Sequence, residues 1–147
     1  MTESTENITI LDIAEEVKEE ILSWDFADSA SVKMYPTENL GQQENGLIAI
    51  VKPADISNEM TTRTGGDLKY YLEIGFLKWI ADDAESVDLL KKVEEFCKTL
   101  LFQVLFDGTY VITKIESKVL YSISAYNRRK QFASIWTIEI QDMNYTS

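Results

Sequence analysis

Cys97 is the only thiol in the chain, and none of its 147 residues is a histidine. Without imidazole, histidine-dependent triads, histidine zinc sites and the commonest general base are all excluded. A single cysteine builds no disulfide scaffold. Cys97 also falls on an apolar helical stripe, where a small buried hydrophobe is expected rather than an exposed thiolate. Carboxylates are abundant, at 25 Asp and Glu. Asp82, Asp83 and Glu85 could offer oxygen ligands to a divalent cation. Their spacing is not that of an EF-hand loop, and acids at a helix start are favoured by the macrodipole alone. No other pair of acids stands out as a hydrolytic pair. Gly65-Gly66 precedes a strand pattern rather than a helix, so it reads as a turn and not a phosphate cradle. These residues assign no catalytic, cofactor-binding or metal-binding position and imply no cofactor. The expectation is a protein that is not an enzyme.

What remains is charge. Fourteen Lys and Arg against 25 acids give −11, which argues against sequence-specific or non-specific nucleic-acid binding and against an anionic membrane surface. The charge is uneven. Residues 1–30 carry nine acids and only Lys18, a net of −8. Residues 109–130 carry Lys114, Lys118, Arg128, Arg129 and Lys130 against Glu116, a net of +4. Such polarity suits head-to-tail contact between copies, while solvated faces selected for solubility would look the same. The candidate interface residues are Glu15, Glu16, Glu19 and Glu20 on the acidic side. Their basic counterparts are Arg63, Lys114, Lys118, Arg128, Arg129 and Lys130.

The elements that must position these residues follow from periodicity. Ile10, Ile13, Ala14, Val17 and Ile21 are spaced as one buried helical stripe, with the four glutamates on the outer side. Thr9 and Asp12 are spaced as a capping box. Residues 31–36 read as a short strand stopped by Pro36, and Leu47–Val51 as a buried strand stopped by Pro53. Residues 54–66 are polar and read as a long, mobile loop. Residues 67–79 alternate with period two, a strand. A second helix runs from Asp82 to about Phe106 on the stripe Val87, Leu90, Val93, Cys97, Leu100, Leu101, Val104, stopped at Asp107-Gly108. Strands follow at 110–115, 118–125 and 132–141, with a turn at Asn127–Lys130.

This order predicts one α+β domain over 1–147, with residues 1–7 frayed. Its sheet is mainly antiparallel or mixed, of about five to six strands, with two helices packed on one face. The strands at 70–76 and 132–140 are apolar on both sides, so a second layer or a neighbouring subunit is needed to cover the side away from the helices. With only two helices, a subunit is the preferred cover. The N-terminus has no basic start or apolar run of a signal peptide, and no stretch of about 18 apolar residues spans a membrane. The expected compartment is a cytoplasm.

The layout resembles a known family. An acidic helix leads to a short strand ending in Tyr35-Pro36, then to the apolar strand Leu47–Val51, a polar stretch and the strand Leu68–Leu77. The helix Glu85–Phe106 and the opening Gly108-Thr109-Tyr110-Val111-Ile112 follow. The end is Arg128-Arg129-Lys130-Gln131-Phe132-Ala133-Ser134-Ile135-Trp136-Thr137-Ile138-Glu139-Ile140. Over residues 9–141 this order, size and texture resemble the tail-terminator and tail-completion proteins of long-tailed bacteriophages. Neck and head-closure proteins of the same particles are similar in size. The resemblance implies a structural virion protein made in the bacterial host cytoplasm. It would form a homo-oligomeric, hexameric ring on the tail tube protein, end tube growth and meet the neck or connector protein. In that setting the 54–66 loop would order against a neighbour. A small acidic interaction module or inhibitor that binds a basic partner is the alternative.

Overall fold

A computed structural model describes residues 8–33, 46–60, 66–80, 83–101, 103–120 and 131–143. The first helix, α1 (Ile10–Ser23), starts where the sequence places its cap. The Thr9 hydroxyl accepts the Asp12 N–H at 3.4 Å, and the Asp12 carboxylate accepts the Thr9 N–H at 2.8 Å. Ile13, Ala14, Val17 and Ile21 are buried beneath it. Strand β1 (Ser29–Val32) is followed by β2 (Ile48–Met60) and β3 (Gly66–Trp79), then by α2 (Asp83–Leu100). The chain closes with β4 (Val104–Leu105), β5 (Tyr110–Val119) and β6 (Gln131–Asp142).

The strands form one sheet in the order β1-β2-β3-β6-β5-β4. Only β1 and β2 run parallel; every other pair is antiparallel. The α+β class and the mixed six-stranded sheet are as the sequence predicts. Both helices lie on one face, because α1 and α2 bury their stripes in a single core with Ala49, Val51, Leu72, Ile74, Phe76, Ile112, Ile138 and Ile140. Aromatic rings pin the helices together at one end. Phe26 stacks on Phe96 at 4.4 Å, and Phe76 and Trp24 meet Phe96 edge-on. Entry into β2 is held by Asp28, whose carboxylate accepts the Leu47 N–H at 2.7 Å. Gly46 passes this carboxylate at φ +85, and a Cβ there would overlap it.

Several boundaries differ from the sequence expectation. Residues 54–60 are not a loop: β2 runs through them to Met60 and pairs regularly with β3 down to Gly66. Pro53 does not end the strand because it sits at a bulge, on a stretch of β2 that β1 no longer flanks, so no ladder N–H is missed. Strand β1 ends at Val32, and Tyr35 and Pro36 lie outside the described residues, as do residues 1–7 and the 127–130 turn. Helix α2 stops at Leu100 although no Gly or Pro follows at once. The Gln103 amide bonds back to the Leu100 carbonyl, and the Gln103 carbonyl then accepts the Ile112 N–H. That pairing carries Leu105 into the core and sets Phe106, at φ 52, against Tyr110. Asp107-Gly108 therefore belongs to a one-turn 3-10 segment before β5, not to a helix cap. The α2 stripe is also rotated from the expected one. Leu89, Val93, Phe96, Cys97 and Leu100 are buried, whereas Val87 is exposed, because the side that meets Phe26 and Phe76 is the one that holds Phe96; Val104, also exposed, lies beyond the helix in β4. Finally, residues 110–119 form one strand with two bulges and no break at 116–117, and residues 121–125 of the strand expected at 118–125 lie outside the described residues.

Candidate protein interface

The sheet side turned away from the helices, its outer face, divides in two. At one end Ile48, Ile50, Leu77 and Ala133 form a second, small buried cluster. At the other end the face is polar, so the expectation of strands apolar on both sides holds over only part of their length. Register explains the division. Leu72, Ile74 and Phe76 alternate into the core, so Lys69, Tyr71 and Glu73 turn outward. On β6, Ile138 and Ile140 alternate inward and Thr137 and Glu139 outward. Two bulges in β5, at Ile112/Lys114 and Ser117/Val119, bracket Thr113 and Lys118. Both side chains reach acids on the outer face, as bulges commonly re-aim a side chain.

The result is a network that crosses four strands. The Glu73 carboxylate takes Lys118 of β5 at 2.6 Å and Lys52 of β2 at 3.8 Å. The Glu139 carboxylate accepts the Thr113 hydroxyl at 2.7 Å and the Tyr71 hydroxyl at 3.2 Å, with the Lys69 ammonium 3.9 Å away. Glu73 and Glu139 are only 15% and 16% exposed, so these contacts are worth more than ordinary surface pairs. Both Glu139 oxygens accept a hydroxyl, and Glu73 holds one lysine by a hydrogen bond and a second by a longer ion pair. The network is a stitch between strands.

The sequence-predicted interface residues separate onto opposite sides of the molecule. Glu15, Glu16, Glu19 and Glu20 lie on α1, with Glu15 and Glu19 facing away from the sheet at 56% and 65% exposure. Among the described residues the cation paired with them is Lys18, at 2.7 Å from Glu15, and its ammonium is held above its ordinary value chiefly by that hydrogen bond. Lys114 and Lys118 are on β5, on the outer sheet face, so the fold does not bring acids and lysines together within one copy. Lys114 pairs loosely with Glu116 at 3.5 Å. Arg63, Arg128, Arg129 and Lys130 lie outside the described residues. Sequence reasoning missed Glu73, Glu139, Tyr71, Thr113, Lys52 and Lys69. The polar member of each alternating pair in 67–79 was the available signal.

The remaining candidates are Cys97 and the acids near the start of α2. A groove of about 400 Å³ runs beside Cys97, Leu101, Ile115, Leu120 and Trp136, with Glu94 and Lys98 contributing. Burial pushes the Cys97 thiol up to about 12, so it stays protonated and inert. The Trp136 indole N–H is taken by the Ser134 hydroxyl at 2.9 Å. Asp82 lies outside the described residues, and Glu85 is bonded to Lys78 at 2.8 Å. Among the described residues no three metal-ligating side chains converge, and no helix is long and apolar enough to cross a membrane. Compared with models of known protein families and with curated proteins, the chain matches none of them.

Proposed function

We propose that the chain is a structural protein that assembles with copies of itself into a ring, as a tail-terminator or tail-completion subunit of a long-tailed phage or phage-like particle. One observation carries this reading. The acids of α1 and the lysines of the outer sheet face lie on opposite sides of a two-layer domain. Exposed acids on one side of a subunit and exposed lysines on the other suit a repeating, head-to-tail contact better than a closed pair. The resemblance in element order supplies the setting: a ring on the head-proximal end of the tail tube, which stops tube growth and meets the neck. The test is negative-stain microscopy with mass photometry on purified protein, alone and with purified tail tubes. Closed rings, or tubes capped at one end, are expected. A protein that stays monomeric and leaves tubes uncapped would overturn the reading. Specific recovery of a basic partner from the host would then favour the acidic interaction module.

A further inference from the structure

Leu11 and Leu22 of α1 and Val87 of α2 are exposed apolar side chains on the outer surfaces of helices. Such single side chains are ordinary. Leu120, just past β5 and 43% exposed, borders a hollow instead. This hollow is the groove of about 400 Å³ between α2 and the strands. Its helix wall is Glu94, Cys97, Lys98 and Leu101, spaced three or four apart, so they form one line along the end of α2. Its strand wall is Ile115 of β5, Leu120, and Trp136 of β6. The Phe96 ring is committed to Phe26 and Phe76 and is not part of either wall. The polar members are already engaged. The Glu94 carboxylate and the Lys98 ammonium neutralise each other at 2.9 Å, and the Trp136 indole N–H donates to the Ser134 hydroxyl at 2.9 Å. The other described wall residues present only hydrocarbon and a thiol. A charge placed between them would lose its water and gain no partner.

We propose that this groove binds an uncharged, mainly apolar small molecule, an aromatic ring system or a short alkyl chain, between the Cys97–Leu101 line and Ile115, Leu120 and Trp136. Size selects a small molecule over a protein partner. A volume of about 400 Å³ lies at the lower end of the about 300–1,000 Å³ of ligand sites. A stable protein interface takes about 20–30 residues a side, and the described wall has seven. The rim beside it is solvated and charged, with Lys98 73% and Glu94 49% exposed, which suits the mouth of a small site better than the centre of a protein contact. Chemistry selects an uncharged ligand, because the one ion pair at the groove leaves neither sign in excess. The site is independent of the self-assembly reading, since it lies on the helix side of the sheet and uses none of the outer-face lysines.

Methyl NMR of the full chain titrated with 1-naphthol, an uncharged ring probe, tests this. Saturable shifts are expected at the methyls of Leu101, Ile115 and Leu120, with a Kd on the order of 0.1–1 mM. Naphthalene-1-sulfonate, with the same rings and a fixed charge, should bind about tenfold more weakly or worse. Leu120→Glu puts a charge at the mouth on an exposed position and should weaken 1-naphthol by about tenfold or more. Val87→Glu, on α2 but outside the groove, should leave binding unchanged, and thermal unfolding checks that both variants fold. Absence of saturable shifts, shifts scattered over the surface, equal binding of the sulfonate, or a folded Leu120→Glu variant that binds like the wild type would each overturn the site. If 1-naphthol does not bind while Leu120→Glu breaks an assembly that the wild type forms, the groove is a contact between copies and the ligand site is likewise overturned.

Discussion

Gly46 and Asp28 show how a single position sets the path of the chain. Glycine is needed there twice over, for a left-handed φ and for the space that the Asp28 carboxylate occupies. Gly46→Ala should cost on the order of 1–3 kcal/mol, read from urea denaturation midpoints. Cys97 and Tyr110 give the molecule a directed response to alkali. Burial holds the Cys97 thiol at about 12 against an ordinary 9.0. Burial first, then Asp142, Tyr70 and Asp12, holds the Tyr110 phenol at about 12 against 10.0. Both groups keep their protons in the folded chain at pH values where the unfolded chain has released them. The stability they contribute is therefore complete below about pH 9 and falls as pH rises toward 12. Denaturation midpoints measured from pH 8 to 11 should decline, and Cys97→Ala should flatten the first part of that decline. The slopes decide this, since the substitution also leaves a small cavity.

At the scale of elements, the informative feature is what stops and joins them. Helix α2 ends where β4 and β5 claim its chain, and Leu105 is the residue carried inward by that change of direction. Leu105→Ala should cost about 2–5 kcal/mol, as for other fully buried leucines, with the loss seen in the same global unfolding transition. A helix continuing to residue 106 would instead leave position 105 tolerant. Across the sheet, Glu139 joins β6 to β3 and β5 through Tyr71, Lys69 and Thr113. Glu139→Gln keeps the shape and removes the charge, and should cost about 1–3 kcal/mol in chemical denaturation. Equal stability of the two proteins would mean that the network stitches nothing.

For the whole molecule, the proposed self-assembly makes a prediction about salt. Contacts between exposed acids and lysines weaken as the screening length shrinks from about 10 Å at 0.1 M salt to about 3 Å at 1 M. Assemblies of this chain should dissociate as salt rises over that range, followed by light scattering. Assemblies that tighten with salt would point instead to an apolar contact, with Leu11 and Leu22 the residues to substitute next.

Local rules determined much of this protein from sequence alone. The Thr9–Asp12 cap, the stripe of α1 and the period-two strand at 67–79 are set by neighbours three, four or two residues apart, so they are legible in a linear text. The missing histidine and lone thiol likewise excluded whole classes of chemistry without a fold. Only the tertiary structure decided the rest. It carried β2 past Pro53, because β1 leaves that stretch unflanked and β3 supplies a partner of matching length. It ended α2 at Leu100, because Gln103 and Leu105 gain more from β5 and the core than from another helical turn. It gathered Glu73, Glu139, Lys52, Lys69, Lys118, Tyr71 and Thr113, from four strands and as far as 87 positions apart, onto one face. Pairing register and two bulges make that neighbourhood, and neither is written in any short span of residues.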